Sequence, residues 1–260
     1  MKNFVYVIGI CVFVLGMSAC KSKGSTKLET SESGDNSKNS LDWTGVYTGI
    51  LPCADCAGIF TQITLQTDNT YQLQINYIGK EESVETIEGT FQWNSAGSII
   101  TLSGLKEKSM PSAYKVGEGK LIQLNMEGKV ITGELASNYE LTKINENLVE
   151  KKWVLFELNG VDLSTKDPKP AIEAFITFQI DRNRVHGNSG CNNFTGTYQL
   201  GAGNELHFSG MASTRKMCID MSIENQINQL YQTVDSYSLQ DNILSLNHGD
   251  TPLARFVLEE

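Results

Sequence analysis

The sequence predicts a mainly β chain in two parts: an antiparallel up-and-down barrel over residues 43–145, then an α+β domain over 150–260. Between 43 and 145 apolar residues recur with a period of two in short runs, divided by glycine-bearing or polar turns. No stretch there carries a helical stripe. Beyond 150 one stretch does, and it sits among further strand-like runs.

In the first part, residues 46–51 read as a strand that leads into a cysteine-bearing turn. Ile59, Thr61, Ile63 and Leu65 then alternate with polar neighbours, as on a half-buried strand. Thr67-Asp68-Asn69-Thr70 is hairpin-turn chemistry, after which Tyr71, Leu73, Ile75 and Tyr77 alternate again. Further strands are expected at 84–93, 98–102, 113–116, 120–126 and 139–144. About eight short antiparallel strands can remove their exposed edges by closing into a barrel. Polar residues 145–150 mark a boundary. In the second part, strands are expected at 153–158, 175–178, 185–187, 193–200, 205–208, 236–240, 243–246 and 254–258, with Asp167-Pro168-Lys169-Pro170 as loop. Ile223, Ile227, Leu230, Tyr231 and Val234 form the apolar stripe of a helix over 223–234, with Asp220 or Ser222 to cap its start.

The first 19 residues are a secretory leader: Lys2, an apolar run over 4–15, and the small residues of Gly16-Met17-Ser18-Ala19 before Cys20. The run is too short for a stop-transfer helix. A cysteine at the cut position resembles the lipobox of bacterial lipoproteins. That resemblance implies cleavage before Cys20, acylation of its thiol and amine, and a membrane anchor strong enough to be stable. Residues 20–42 contain only two large apolar residues, Leu28 and Leu41, and read as a flexible tether. Loss of the leader removes one lysine and moves the formal charge from −9 to −10. So acidic a body argues against a nucleic-acid partner and against unaided adhesion to anionic lipid. By analogy with Gram-negative lipoproteins, Lys21 in place of an aspartate points to the outer membrane. The lack of an acidic cluster after Cys20 points to its periplasmic face.

The segment Tyr47-Thr48-Gly49-Ile50-Leu51-Pro52-Cys53-Ala54-Asp55-Cys56-Ala57-Gly58-Ile59 resembles the signature of the N-terminal domain of NlpE-type copper-resistance lipoproteins. The resemblance implies a lipocalin-like barrel, and a role in copper tolerance and in signalling envelope stress or surface contact. Residues 150–260 resemble a META/HslJ domain, through Trp153, Asn159-Gly160, the run from Gly187 to Tyr198, and Met211-Ala212-Ser213-Thr214-Arg215-Lys216-Met217-Cys218 before a helix. That match implies a fold without an established activity. The best-known NlpE proteins carry a different C-terminal domain with its own cysteines, a departure in this chain.

Of six cysteines, Cys11 leaves with the leader and Cys20 is taken by lipid. Sequence order favours the pairs Cys53–Cys56 and Cys191–Cys218 in an oxidising compartment. Three readings of Cys53/Cys56 stay open: a disulfide staple of the turn, a Cu(I)-binding or redox-responsive pair, and a catalytic oxidoreductase centre. The last lacks its device, because a strand rather than a helix follows the motif. For Cys191 and Cys218 the alternative is two buried free thiols. His186, His207 and His248 all fall in the second part, which disfavours a Cys/His zinc site in the first. Met110 and Met126 are thioethers that could lie near the cysteines, with packing the simpler role. Ser189 is not a nucleophile elbow. No catalytic constellation stands out, so the expectation is a protein that is not an enzyme and needs no cofactor, with copper as the candidate metal. The expected partners are the membrane, through Cys20, and an envelope-stress sensor. The alternatives are a carrier of a small hydrophobic ligand, which a wide apolar cavity would support, and a structural or chaperone-like envelope protein.

Overall fold

A computed structural model describes residues 35–80, 84–105, 110–165, 172–201 and 203–259. The leader, Cys20, the tether up to residue 34 and the loop expected at 167–170 lie outside the described residues. Residues 35–260 form one compact unit.

Eight strands close the first barrel: β1 (Gly45–Leu51), β2 (Ile59–Leu65), β3 (Thr70–Tyr77), β4 (Val84–Trp93), β5 (Ile99–Leu102), β6 (Ala113–Gly117), β7 (Lys120–Gln123) and β8 (Glu140–Lys143). Each pairs antiparallel with its sequence neighbour, and β8 returns to β1 through Tyr47 opposite Lys143 and Thr48 opposite Thr142. Alternation sends Tyr47, Ile63, Leu73, Ile75, Ile100 and Leu141 inward, where they form one continuous buried cluster. Two of the inward phenols find carbonyl partners: Tyr47 donates to Trp43 O (2.8 Å) and Tyr71 to Ser103 O (2.8 Å). Side chains thus fill the barrel, as small barrels of this strand number commonly are.

The tether expectation fails over residues 35–42. Asn36 caps a one-turn helix, α1 (Ser37–Ser40), accepting from the Lys38 and Asn39 N–H groups, while Asn39 accepts from Asn36 N–H. Lys38 N–H donates to Gly97 O (3.0 Å), and Ser37 Oγ to Val116 O (2.7 Å). Trp43 stacks edge-on against Phe91 and Trp93 at the same end. Composition measures what a segment can bury by itself. It does not see a polar capping box whose remaining groups are satisfied by another loop.

The second part is a nine-stranded antiparallel sheet. Its strands are β9 (Lys152–Leu158), β10 (Val161–Asp162), β11 (Phe175–Phe178), β12 (Arg184–Asn188), β13 (Asn193–Leu200), β14 (Leu206–Ser213), β15 (Ser236–Gln240), β16 (Ile243–His248) and β17 (Thr251–Leu258). The order is β14-β13-β12-β11-β9-β17-β16-β15, with β10 paired to β9. Helix α2 (Ser222–Thr233) buries Ile223, Ile227, Leu230 and Tyr231 on the sheet. The expected caps shift by one position: Met221 occupies the N-cap without a side-chain bond, and Asp220 accepts from Ser222 N–H (2.8 Å) instead. The boundary residues 145–150 also behave differently from their polar reading. Leu148 and Val149 are buried in the second core, and Trp153 Nε1 donates to Leu148 O (2.9 Å). Among the described residues no helix is long and apolar enough to cross a membrane.

Candidate functional site

The turn between β1 and β2 carries Cys53, Ala54, Asp55 and Cys56 at one rim of the barrel, and the structure joins Cys53 to Cys56 as a disulfide. Strand geometry makes the turn tight. Ala57 N–H donates to Ile78 O (3.2 Å) and Ile78 N–H to Gly58 O (2.9 Å), which pins the C-terminal side of the turn to the end of β3. Glycine is required at 58, since a Cβ there would fall 2.5 Å from Ile50 Cγ2. Pro52, Ala54, Asp55 and Ala57 are exposed, and both cysteines are half-buried residues.

Asp55 Oδ2 lies 2.6 Å from Lys80 Nζ. The hydrogen bond and charge of Lys80 hold the Asp55 carboxyl below the usual carboxylate range. Lys80 also stands over the Tyr77 ring, 5.6 Å from its centre. Cys53 Sγ is 3.4 Å from Asp55 Oδ1, and the two sulfurs and this carboxylate lie within 4.8 Å of one another. Lys80 is the residue that sequence reading missed. It is 25 positions from its partner, and no pattern in the sequence ties the two together.

Two sulfurs and a carboxylate are a donor set for a soft metal ion only once the disulfide is opened, because a thiolate rather than a disulfide sulfur is the strong ligand. Met110 and Met126 do not join this set. They line a separate cavity of about 440 Å³ with Leu102, Leu105 and Pro111. Of the three histidines, His186 is on β12, His207 on β14 and His248 on β16, where His248 Nδ1 meets Asp235 Oδ2 at 2.9 Å.

Cys191 and Cys218 are joined as well, across 27 positions. Their surroundings differ from those of the first pair. Cys191 is buried, and its neighbour Asn192 organises the region. Asn192 N–H and Nδ2 donate to the buried Glu224 carboxylate of α2 at 3.0 Å, and Nδ2 also donates to Lys216 O at 3.0 Å. Its Oδ1 accepts from Thr214 Oγ1 and Lys216 N–H, both at 2.7 Å. Ser189 Oγ donates to Asn192 O (3.1 Å), a turn role.

Strand β1, which leads into the disulfide-bearing turn, also touches the second domain. Val46 of β1 packs against the second core, and Thr48 Oγ1 donates to Asn183 Oδ1 (2.9 Å). Arg182 and Asn183, both at positive φ (53° and 47°), form the tip of the β11–β12 hairpin. Arg182 NH2 reaches Asn76 Oδ1 of β3 at 3.5 Å. A polar cleft of about 260 Å³ runs along this seam, lined by Thr48, Glu140, Thr142, Arg182 and Asn183 among others.

A closed barrel with a disulfide at its rim, followed by an open sheet under one helix, defines a two-domain β protein. Family comparison agrees with that division: residues 47–134 match the NlpE N-terminal domain and residues 146–260 match the META domain. Lipoprotein NlpE of Escherichia coli (strain K12) is 29% identical over 102 residues, which is 39% of this chain and 42% of that protein. The matched region thus spans about two fifths of that curated relative. A crystal structure of a Shewanella oneidensis protein described as a lipoprotein is 50% identical, covering 42% of this chain and 96% of the other, with a TM-score of 0.38. The Cpx pathway activator NlpE from Escherichia coli is 16% identical in its crystal structure, covering 66% and 95%, with a TM-score of 0.31.

Proposed function

We propose that this chain is a non-catalytic lipoprotein, anchored through acylated Cys20 on the periplasmic face of the outer membrane, that serves copper tolerance and reports envelope stress to a membrane sensor. Cys53 and Cys56 are the sensed pair. The observation that carries this reading is the position of their disulfide: on an exposed turn, beside Asp55 and Lys80, at the end of the strand that touches the META domain.

Opening the bond takes two electrons and two protons from a dithiol donor, which becomes a disulfide while Cys53 and Cys56 become thiols. Asp55, 3.4 Å from Cys53 Sγ, disfavours a thiolate there, and Lys80, paired with Asp55 at 2.6 Å, offsets that negative charge. Cys53, Cys56 and Asp55 would then hold a soft monovalent copper ion, whose single positive charge would offset one of the two thiolates. In either outcome the turn at the barrel rim changes shape and charge, and β1 links that change to the seam with the second domain.

The carrier alternative lacks support, because side chains occupy the barrel interior. An anaerobic Cu(I) titration of the reduced protein against a Cys53→Ser/Cys56→Ser variant tests the proposal. Tighter binding by the native pair is expected, and loss of copper tolerance should accompany the double substitution in cells. Equal affinity and equal tolerance would sink the reading.

A further inference from the structure

The META sheet leaves one edge open beside a groove. β14 pairs with β13 on one side, while on the other it meets β15 only through the Glu205–Ser236 bridge at its start. From His207 to Ser213, among the described residues, no strand runs along its outer edge. A row of backbone donors and acceptors is thereby left for an added strand. The facing wall is α2, and the space between is a cavity of about 460 Å³, within the ~300–1,000 Å³ range of ligand sites.

Three features of this groove suit an extended peptide. Its floor is aromatic and apolar: Phe208 and Phe194 each lie 5.1 Å from the Tyr231 ring centre, and Met211 adjoins them. Exposed Asn228 and Gln232 line the opposite wall one turn apart on α2. Their spacing along the helix, about 6 Å, approaches the ~6.8 Å two-residue repeat of a strand, so the carboxamides can meet successive outward peptide groups of a chain laid along β14. Finally, no aspartate, glutamate, lysine or arginine lines the groove, although the whole chain carries a formal charge of −9. A neutral segment therefore enters without stranding an unpaired charge.

We infer that the β14–α2 groove of the META domain binds an extended, uncharged peptide segment by strand addition, its backbone on β14 and its alternate apolar side chains on the Phe208–Tyr231 floor. The Gly210 bulge, with φ of +59° and a register shift opposite Thr195–Thr197, divides the pairing into runs on either side of it. This binding mode is separate from the chemistry of Cys53 and Cys56. It gives the second domain a role in holding unfolded or extended polypeptide.

The test uses the full-length protein in detergent micelles and capped heptapeptides that alternate valine or phenylalanine with serine or threonine. Fluorescence anisotropy should show saturable binding, and hydrogen exchange should slow at amides within 207–213. N-methylation of alternate peptide nitrogens, which removes backbone donors while keeping the side chains, should weaken binding about tenfold or more. An Asn228→Ala/Gln232→Ala variant, altered only at exposed positions, should weaken it about fivefold or more with an unchanged melting curve. Binding indifferent to N-methylation would mean apolar adsorption and would overturn the inference. So would no binding at millimolar peptide, or protection of 207–213 that appears only as the protein self-associates.

Discussion

The barrel closes on itself through β1 and β8, whereas the META sheet ends in β14 and β15 and depends on α2 to cover its core. Each domain carries one disulfide, and the two are placed according to that difference. Cys191–Cys218 spans 27 positions and fastens the loop before α2 to a buried turn already held by Asn192 and Glu224. Cys53–Cys56 spans three positions on a turn that β1 and β2 would form without it. A crosslink that the fold does not need is free to be opened and closed. One that ties a helix to an open sheet is not.

The largest expected effect tests this contrast directly. In the chain-entropy model, Cys191→Ala/Cys218→Ala should cost about 3–4 kcal/mol, against about 2 kcal/mol or less for Cys53→Ser/Cys56→Ser, in urea unfolding of the oxidised proteins. Equal losses would dissolve the distinction between the two pairs.

Alkaline titration probes the barrel next. Burial pushes the Tyr114 hydroxyl up to about 12. Between the ordinary tyrosine value near 10 and that figure the unfolded chain gives up a proton that the folded one keeps, so stability falls as pH rises. The loss should reach about 2–3 kcal/mol by pH 12, followed by the pH dependence of the urea midpoint in native protein and Tyr114→Phe. The phenylalanine variant should show a shallower decline.

The META core should be less forgiving at Gly187. A Cβ there would run into the Phe175 carbonyl oxygen and the Phe194 ring. Gly187→Ala is expected to cost about 1–3 kcal/mol, visible as an earlier thermal transition.

Much of this architecture was legible in the sequence because period-two alternation and turn chemistry are local. Asp68-Asn69 makes its turn with Asn69 at φ 64° and Thr70 N–H bonded to Asp68 Oδ1, and the α2 stripe buries the side chains its spacing selects. Both cysteine motifs stood out for the same reason. What the sequence did not show are meetings of polar residues across the fold. Lys80 reaches Asp55, Asn183 reaches Thr48 over 135 positions, and Ser37 docks at Val116. Their side chains follow no period, and the edge left open at β14 exists only once strand order is known.

A smaller effect concerns the rim. Lys80→Met should bring the Asp55 carboxyl back toward its ordinary value in an NMR titration, because Lys80 is the main cause of its depression. Both groups are exposed, so the unfolding midpoint at neutral pH should stay where it is. What should change is the rate at which a dithiol opens Cys53–Cys56, which slows when the neighbouring cation is gone.

The most direct measurement is thiol trapping under stepwise reduction of the folded protein, with alkylated cysteines located by mass spectrometry and the fold followed by circular dichroism. Cys53 and Cys56 should become labelled at reductant concentrations about tenfold lower than Cys191 and Cys218, with the spectrum unchanged. Labelling of all four together, or of Cys53 and Cys56 only as the spectrum collapses, would contradict a sensing role for the barrel turn.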